Sequence, residues 1–264
     1  MITVIIPARY ASSRYPGKPL AELDIGGGVR RSLIELTWRA ALEVPEADAV
    51  YVATDDDGIA EAARGFGAEV IMTSGSCRNG TERCADALER AGLAPEIVVN
   101  LQGDAPLTPP WFLSALIAAM RADPTLDAAT PVLRCEPATL ALLQEDRRAG
   151  RVGGTTAVFD RAGRGLYFSK EVIPFVEGRA FSAGEVPVFH HVGVYAYRPE
   201  TLRRYQDWPE GPLERLEGLE QLRFLENGAR MQCVEVDSRG RVFWELNNPQ
   251  DVARIEAVLK EQRT

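Results

Sequence analysis

Hydrophobic positions in the first half of the chain fall into short apolar runs separated by stretches of helical spacing. Val4–Ile6, Ala49–Ala53, Glu69–Met72, Glu96–Asn100 and Ala128–Val132 read as strands. Between them, Leu33–Leu42, Gly58–Gly65, Thr81–Ala91 and Pro110–Met120 read as helices, with apolar residues at three- and four-residue spacing. This β-α-β-α rhythm predicts a parallel sheet with right-handed crossovers. The rhythm changes after about residue 135. Thr155–Phe159, Gly165–Phe168 and Val188–Tyr197 read as strands at hairpin-type spacing, and Val192–Tyr197 alternates. Leu213–Asn227 reads as one amphipathic helix with Leu213, Leu216, Leu219, Leu222 and Leu225 on one side, and Gly228 suits its C-cap. A late strand near Arg241–Leu246 precedes Asn248, which is expected to cap a last helix with Pro249 in its first turn. The pattern predicts one α/β domain over residues 1–264, with a mixed β insertion at roughly 136–210, rather than two independent domains.

Composition narrows the class. The chain has 264 residues, 45% apolar and 26% charged, enough for a sizeable core. A net charge of −8 and a pI near 5.0 argue against a general nucleic-acid binder. They leave room for a nucleotide pocket, which local charge decides. No run approaches the roughly 18 apolar residues of a membrane span. The chain enters a strand directly, so a cytoplasmic location without membrane attachment is expected. Cys77, Cys84, Cys135 and Cys233 form no C-x-x-C pair, and with only His190 and His191 beside them a zinc site is not expected.

Local charge is concentrated at residues 3–20. The apolar run ending at Ile6 meets Pro7, and a loop with Arg9, Ser12, Ser13, Arg14, Gly17 and Lys18 follows. No acid precedes Glu22. Cations on a loop at the end of a buried strand are what a polyphosphate needs, and Gly17 lets backbone come close to a ligand. The spacing is not that of a P-loop.

Four further segments carry candidate chemistry. Asp104, in Leu101-Gln102-Gly103-Asp104, sits where a strand enters a loop, a usual place for a Mg²⁺-binding carboxylate. An isolated Gly-Asp reads first as a turn; placed with the N-terminal loop, the metal-binding reading becomes the better one. Asn79-Gly80-Thr81-Glu82-Arg83 opens a helix, whose first turn has free N–H groups; Asn79 or Thr81 is also a plain cap. On a strand, His191, Gly193, Tyr195 and Tyr197 share one face, which taken alone is ordinary alternation. Glu220 and Gln221 are polar beside the leucine seam, suited to hydroxyl partners or to a solvated helix face.

Together and in this order, these segments resemble the 3-deoxy-manno-octulosonate (Kdo) cytidylyltransferases. The matching motifs are Ile-Pro-Ala-Arg through Pro-Gly-Lys-Pro-Leu at 6–20, Val-Ala-Thr-Asp-Asp at 52–56 and Gly-Thr-Glu-Arg at 80–83. They continue with Asn-Leu-Gln-Gly-Asp at 100–104, Leu-Tyr-Phe-Ser at 166–169, His-x-Gly-x-Tyr-x-Tyr at 191–197 and Leu-Glu-x-Leu-Glu-Gln-Leu-Arg at 216–223. The resemblance implies a Rossmann-like nucleotidyltransferase fold, with a mostly parallel sheet flanked by helices and a mixed β insertion used for homodimerisation. It implies transfer of CMP from CTP to a ulosonic acid, Kdo or a relative, with Mg²⁺ as cofactor. By the same carry-over, Ala8, Arg9, Ser12, Arg14, Lys18, Asn79, Gly80 and Gln102 would meet CTP. Gln102, Lys170, His191, Tyr195, Glu220 and Gln221 would meet the sugar acid. Asp104 and Asn247 would hold the metal, and Lys18, Arg14 and Asp104 would carry the chemistry, Lys18 by stabilising the leaving group.

The chain departs from the family pattern at several of these positions. Asn247 stands where an acid is usual, and Glu245, two residues earlier, is a candidate to supply the charge. Asn79 replaces a Ser, Lys170 an Arg, and Thr156 a Lys. Gly28–Ile34 replaces a Gly-Lys-Pro-Met-Ile segment. Several of the changes lie where the sugar acid should bind, so an amino-substituted Kdo or another ulosonic acid stays open as substrate. A nucleotidyltransferase with a different acceptor, or a non-catalytic nucleotide-binding relative, also stays open.

Overall fold

A computed structural model of the chain describes residues 1–11, 15–152, 154–176, 178–241, 246 and 248–261. Strand β1 (Ile2–Ala8) is buried at every position. A single 3₁₀ turn at Lys18–Leu20 follows, and then β2 (Glu22–Asp24) and β3 (Arg30–Ser32) form a small hairpin of their own. The alternating section continues as α1 (Leu33–Leu42), β4 (Ala49–Thr54), α2 (Asp57–Gly65), β5 (Glu69–Met72), α3 (Gly80–Ala91), β6 (Ile97–Leu101), α4 (Pro110–Ala122) and β7 (Ala128–Arg134). Side chains start the helices where the sequence places caps. Ser32, Asp56 and Asn79 each accept the N–H three residues on, satisfying a donor left over by the first turn.

The second half holds α5 (Pro137–Arg148), β8 (Thr156–Phe159), β9 (Gly165–Ser169), β10 (Phe189–His191), β11 (Val194–Tyr197), α6 (Pro199–Asp207), α7 (Pro212–Glu217), α8 (Leu222–Glu226), β12 (Met231–Glu235) and α9 (Asp251–Glu261). Ten strands join one sheet in the order β5-β4-β1-β6-β11-β7-β10-β8-β9, with β12 on the other edge of β7. Neighbours among β5, β4, β1 and β6 are parallel, as the rhythm predicts. β11 then inserts antiparallel between β6 and β7. Seven strands (β1, β4, β5, β6, β7, β8 and β12) run one way, so the sheet is mostly parallel, and the strands after residue 135 extend it.

Both faces are covered. Ile2, Val4 and Ile6 point to the face carrying α1, α2 and α4; Ile5 and Val98 point to the face carrying α3, α6 and α8. This is the period-2 alternation of a central strand with helices on both sides.

Three expectations need correction. The helix predicted over Leu213–Asn227 is two helices. Gly218, at φ +62°, ends α7, a backbone conformation that favours glycine, and its N–H closes on Glu214 O at 2.7 Å. Leu216 is therefore 84% exposed rather than part of a buried seam, and residues 218–221 form a turn. Val188–Tyr197 is likewise two strands. The break at Val192–Gly193 shifts the chain from pairing with β8 to pairing with β6 while it keeps one edge of β7. The last helix runs over Asp251–Glu261 rather than from Pro249, with a turn closed by Asp251 N–H on Asn248 O leading into it; Asp251 Oδ2 accepts the Asn248 N–H at 2.7 Å, one half of the capping box expected of a cap at Asn248. The strand expected near 241–246 falls largely outside the described residues.

Candidate active site

The carboxyl ends of parallel strands β1 and β6 open into a cleft of about 810 Å³. Ligands of open α/β sheets bind in this position. Every described residue that the sequence singles out for substrate or metal lines it: Ala8, Arg9, Lys18, Asn79, Gly80, Gln102, Asp104, Lys170, His191, Tyr195, Glu220 and Gln221. Ser12, Arg14, Glu245 and Asn247 lie outside the described residues.

At one end the loops after β1 and β6 interlock. Gly103 N–H donates to Pro7 O at 3.3 Å, and a Cβ on Gly103 would sit 2.8 Å from that oxygen. The contact sets Asp104 beside the β1 loop. There Lys18 Nζ donates to Asp104 Oδ2 at 2.5 Å. Gly17, at φ +68°, bonds back to Tyr10 O and starts the turn that presents Lys18. Arg9 is exposed and reaches Arg78 O at 3.4 Å. Leu246 N–H donates to Asp104 O at 2.9 Å, which brings the C-terminal segment to the same place.

The first turn of α3 forms the next wall. Asn79 caps it through Oδ1 and donates from Nδ2 to the Tyr205 hydroxyl at 3.1 Å, so the cap and the cleft wall are one residue. Gly80 leaves room for the Gln102 side chain: a Cβ there would meet its tip, Nε2, at 2.6 Å and push it aside. The 218–221 turn closes on this helix end. Thr81 N–H donates to Glu220 Oε2 at 3.0 Å, and Gln102 Nε2 donates to Glu220 Oε1 at 3.3 Å. Burial pushes the Glu220 carboxyl above its ordinary range, nearby Glu214 and Glu82 add to this, and the Thr81 bonds oppose it. The reading of Glu220 and Gln221 as a solvated helix face is thus overturned by the break at Gly218.

The far wall comes from β10 and β11. His191 is buried, and its Nε2 lies 2.9 Å from Thr130 Oγ1, which donates to Val194 O. With that hydroxyl committed, Nε2–H is the donor. Burial, reinforced by His190, pulls the His191 pKa down to about 3, so the ring is neutral. Tyr195 donates to Gln221 Oε1 at 3.2 Å, leaving Gln221 Nε2 buried with no hydrogen-bond partner among the described residues. Lys170, after β9, is fixed through its N–H to Glu217, and its ammonium lies beside Gly218. Thr156 is buried, bonding Glu171 O and the Ile173 N–H.

Sequence reasoning gave no role to several charged residues that themselves border the cleft, Arg83, Glu214 and Arg223 among them. Arg223 is fully buried between Glu214 and Glu82, and Arg83 is buried against Asp55 and Thr73. A signal was present. Arg223 falls four residues after Leu219, where an arginine on an apolar face demands buried acidic partners.

Comparison with known proteins agrees with this geometry. A family model described as cytidylyltransferase matches residues 3–232. A 3-deoxy-manno-octulosonate cytidylyltransferase from Maricaulis maris is 44% identical over 258 residues, 98% of this chain and 96% of that protein. An 8-amino-3,8-dideoxy-manno-octulosonate cytidylyltransferase from Shewanella amazonensis is 38% identical over 98% of each chain. A solved structure of CMP:2-keto-3-deoxy-manno-octonic acid synthetase complexed with CTP superposes at a TM-score of 0.84, with 31% identity and 99% of each chain covered.

Proposed function

The chain belongs to the 3-deoxy-manno-octulosonate cytidylyltransferase family, and from that membership we propose that it activates Kdo, or a close relative of it, with CTP. The products are the CMP-sugar and pyrophosphate. The observation that carries this reading is the near full-length match to relatives of that name, on a fold whose cleft gathers the described residues that the family resemblance assigns to substrate and metal.

On this reading Lys18 and Arg9 hold the triphosphate, with Arg14 and Ser12 of the same loop. Asn79, Gly80 and the backbone at Ala8 hold the nucleoside. Lys170 meets the carboxylate of the sugar acid as a point charge, and neutral His191, Tyr195, Glu220 and Gln221 orient its hydroxyls. Gln102 lies between the two substrates. The anomeric hydroxyl attacks the α-phosphorus in line with departing pyrophosphate, whose growing charge Lys18 meets. Catalysis is then positioning and electrostatics, with no covalent enzyme intermediate.

Magnesium belongs to the same proposal. Asp104 is a hard oxygen ligand already neutralised by a cation in Lys18, the chemistry a divalent ion also needs. Among the described residues no group of three or more His, Cys, Asp or Glu gathers. Asp104, with Asn247, would therefore hold the ion together with substrate phosphates, the usual arrangement for Mg²⁺. When bound, the ion neutralises phosphate charge and acidifies a coordinated hydroxyl.

Homodimerisation through the 136–210 region is a further part of the proposal, supported by Phe175 at 76% exposure and by exposed Leu142 and Leu166. No helix among the described residues is long and apolar enough to cross a membrane; a cytoplasmic location is proposed. The function is tested with a panel of sugar acids, including Kdo and its 8-amino form, scored by CTP-dependent pyrophosphate release under Mg²⁺. Turnover of at least one ulosonic acid is expected, and inactivity with all of them contradicts the reading.

A further inference from the structure

We propose that Arg223 is a positioning residue, tying the Glu220–Gln221 turn to the first turn of α3 so that the nucleotide end of the cleft sets the sugar end. The inference rests on the reading above that these two ends take CTP and the sugar acid.

The geometry is that of a clamp. Arg223 is 1% exposed. Its Nε and one terminal nitrogen donate to the two oxygens of Glu214 at 2.6 and 2.7 Å, and the other terminal nitrogen donates to Glu82 Oε1 at 2.9 Å. Glu214 belongs to α7, ahead of the turn, and Glu82 to α3. Glu82 is gripped in turn by Arg78, which lines the cleft, through its backbone N–H at 2.7 Å and its Nε at 2.9 Å. The guanidinium lies 4.2 Å from the Tyr205 ring centroid. The Tyr205 hydroxyl donates to Glu220 O and accepts from Asn79 Nδ2, both at 3.1 Å. Two arginines and two glutamates balance in charge; the Arg223–Glu82 bond and the Tyr205 hydroxyl between Asn79 and Glu220 O join the sugar turn to the nucleotide helix, while Arg223–Glu214 and Arg78–Glu82 brace the two ends of that tie.

Packing alone does not call for this arrangement. A buried ion network is neutral or unfavourable in stability against apolar residues of equal volume, and its best attested use is to fix one arrangement. Here the thing fixed is the turn that carries Glu220, whose carboxylate accepts the Thr81 N–H of α3. If the turn drifts, Glu220 and Gln221 leave the sugar while the nucleotide contacts at Asn79 and Gly80 remain.

The test uses Arg223→Lys, which keeps the charge and loses the fork, and Glu82→Gln, which strips the charge from the tie to α3, leaving a neutral acceptor in its place, and keeps the Arg223–Glu214 pair. Steady-state pyrophosphate release is measured with CTP and Kdo varied separately. The KM for Kdo is expected to rise about tenfold or more in each variant, with the KM for CTP within about threefold, since displacement under an ångström suffices for such a loss. In the double variant the KM for Kdo should be no worse than in Arg223→Lys, because both act through one path. A folded Arg223→Lys with lowered Tm and unshifted or equally shifted KM values overturns the proposal, as does additivity. Should Arg223→Lys fail to fold, Glu82→Gln carries the test alone. Failure of the wild-type chain to use any ulosonic acid of the panel strikes the functional reading instead; where another acid of the panel is the one turned over, its KM replaces that of Kdo in the test. Hydrogen exchange with CTP alone then decides: CTP should slow exchange over residues 79–83 and 219–223 in the wild type, and only over 79–83 in Glu82→Gln. Equal slowing of both segments in both proteins overturns the clamp.

Discussion

A single methyl group on Gly103 should damage turnover more than it damages the fold. The backbone at Gly103 is not left-handed, so glycine is needed there for space alone. A Cβ would lie 2.8 Å from Pro7 O and 3.3 Å from Ile34 Cδ1. Ordinary contact for carbon begins near about 3.5 Å, so the β1 and β6 loops must part by roughly 0.7 Å. Overpacking of this kind costs about 1–3 kcal/mol, or a fall in Tm of roughly 2–10 °C at this chain length. The displaced residue is the neighbour of Asp104, whose carboxylate meets Lys18 at 2.5 Å. Misplacing that pair relative to the triphosphate should lower kcat/KM by on the order of 10–100-fold. The assay is thermal unfolding beside CTP-dependent pyrophosphate release, with Gly92→Ala as control. Gly92 has φ +60° and nothing near its missing Cβ, so alanine there costs about 1–2 kcal/mol by backbone strain and leaves kcat/KM unchanged. If Gly103→Ala loses stability but keeps wild-type kcat/KM, the loop contact does not position the site and the reasoning fails.

Other outcomes follow from the same geometry. Asp104→Ala should abolish turnover and leave a cooperative melt; retained activity at any Mg²⁺ concentration removes Asp104 from the chemistry. Gly80→Ala should fold normally, since alanine suits a first helical turn and the atom it meets is the movable tip of Gln102. It should raise the KM for the sugar acid severalfold by displacing Gln102 from Glu220, and an unchanged KM contradicts that contact. Stability should fall as pH drops from 6.5 toward about 4. Burial holds His190 near 4 and His191 near 3, so below 6.5 the unfolded chain takes up protons that the folded chain refuses. Thermal melts across this window should decline less steeply for His191→Gln, and identical slopes would show that His191 is not buried neutral.

Asp104 was legible in the sequence for a physical reason: it follows closely on an apolar run that reads as a strand, and polar residues at the carboxyl end of such a strand face the ligand crevice. Lys18 was legible through the concentration of cations on the loop after the first strand, and Gln102 through the family resemblance alone. Asn79 was legible as a cap and as a site residue because the first turn of a helix serves both ends. Periodicity failed where one residue redirected the chain. Gly218 sits inside a leucine pattern that fits a helix, and only its left-handed backbone shows that the pattern spans two helices with a site-facing turn between them. Arg223 failed differently. Its partner Glu82 lies 141 residues away, and no local pattern joins them. The insertion of β11 between β6 and β7 was illegible for the same reason, since strand order is set by pairings distant in sequence.

A crystal structure grown with CTP and Mg²⁺ probes the heart of the account more directly than any variant. The triphosphate should lie against the Lys18 ammonium, with the Lys18–Asp104 pair opened and the Asp104 carboxylate turned to the ion. A nucleotide bound elsewhere on the molecule, or bound in this cleft with its phosphates away from both side chains, would contradict it.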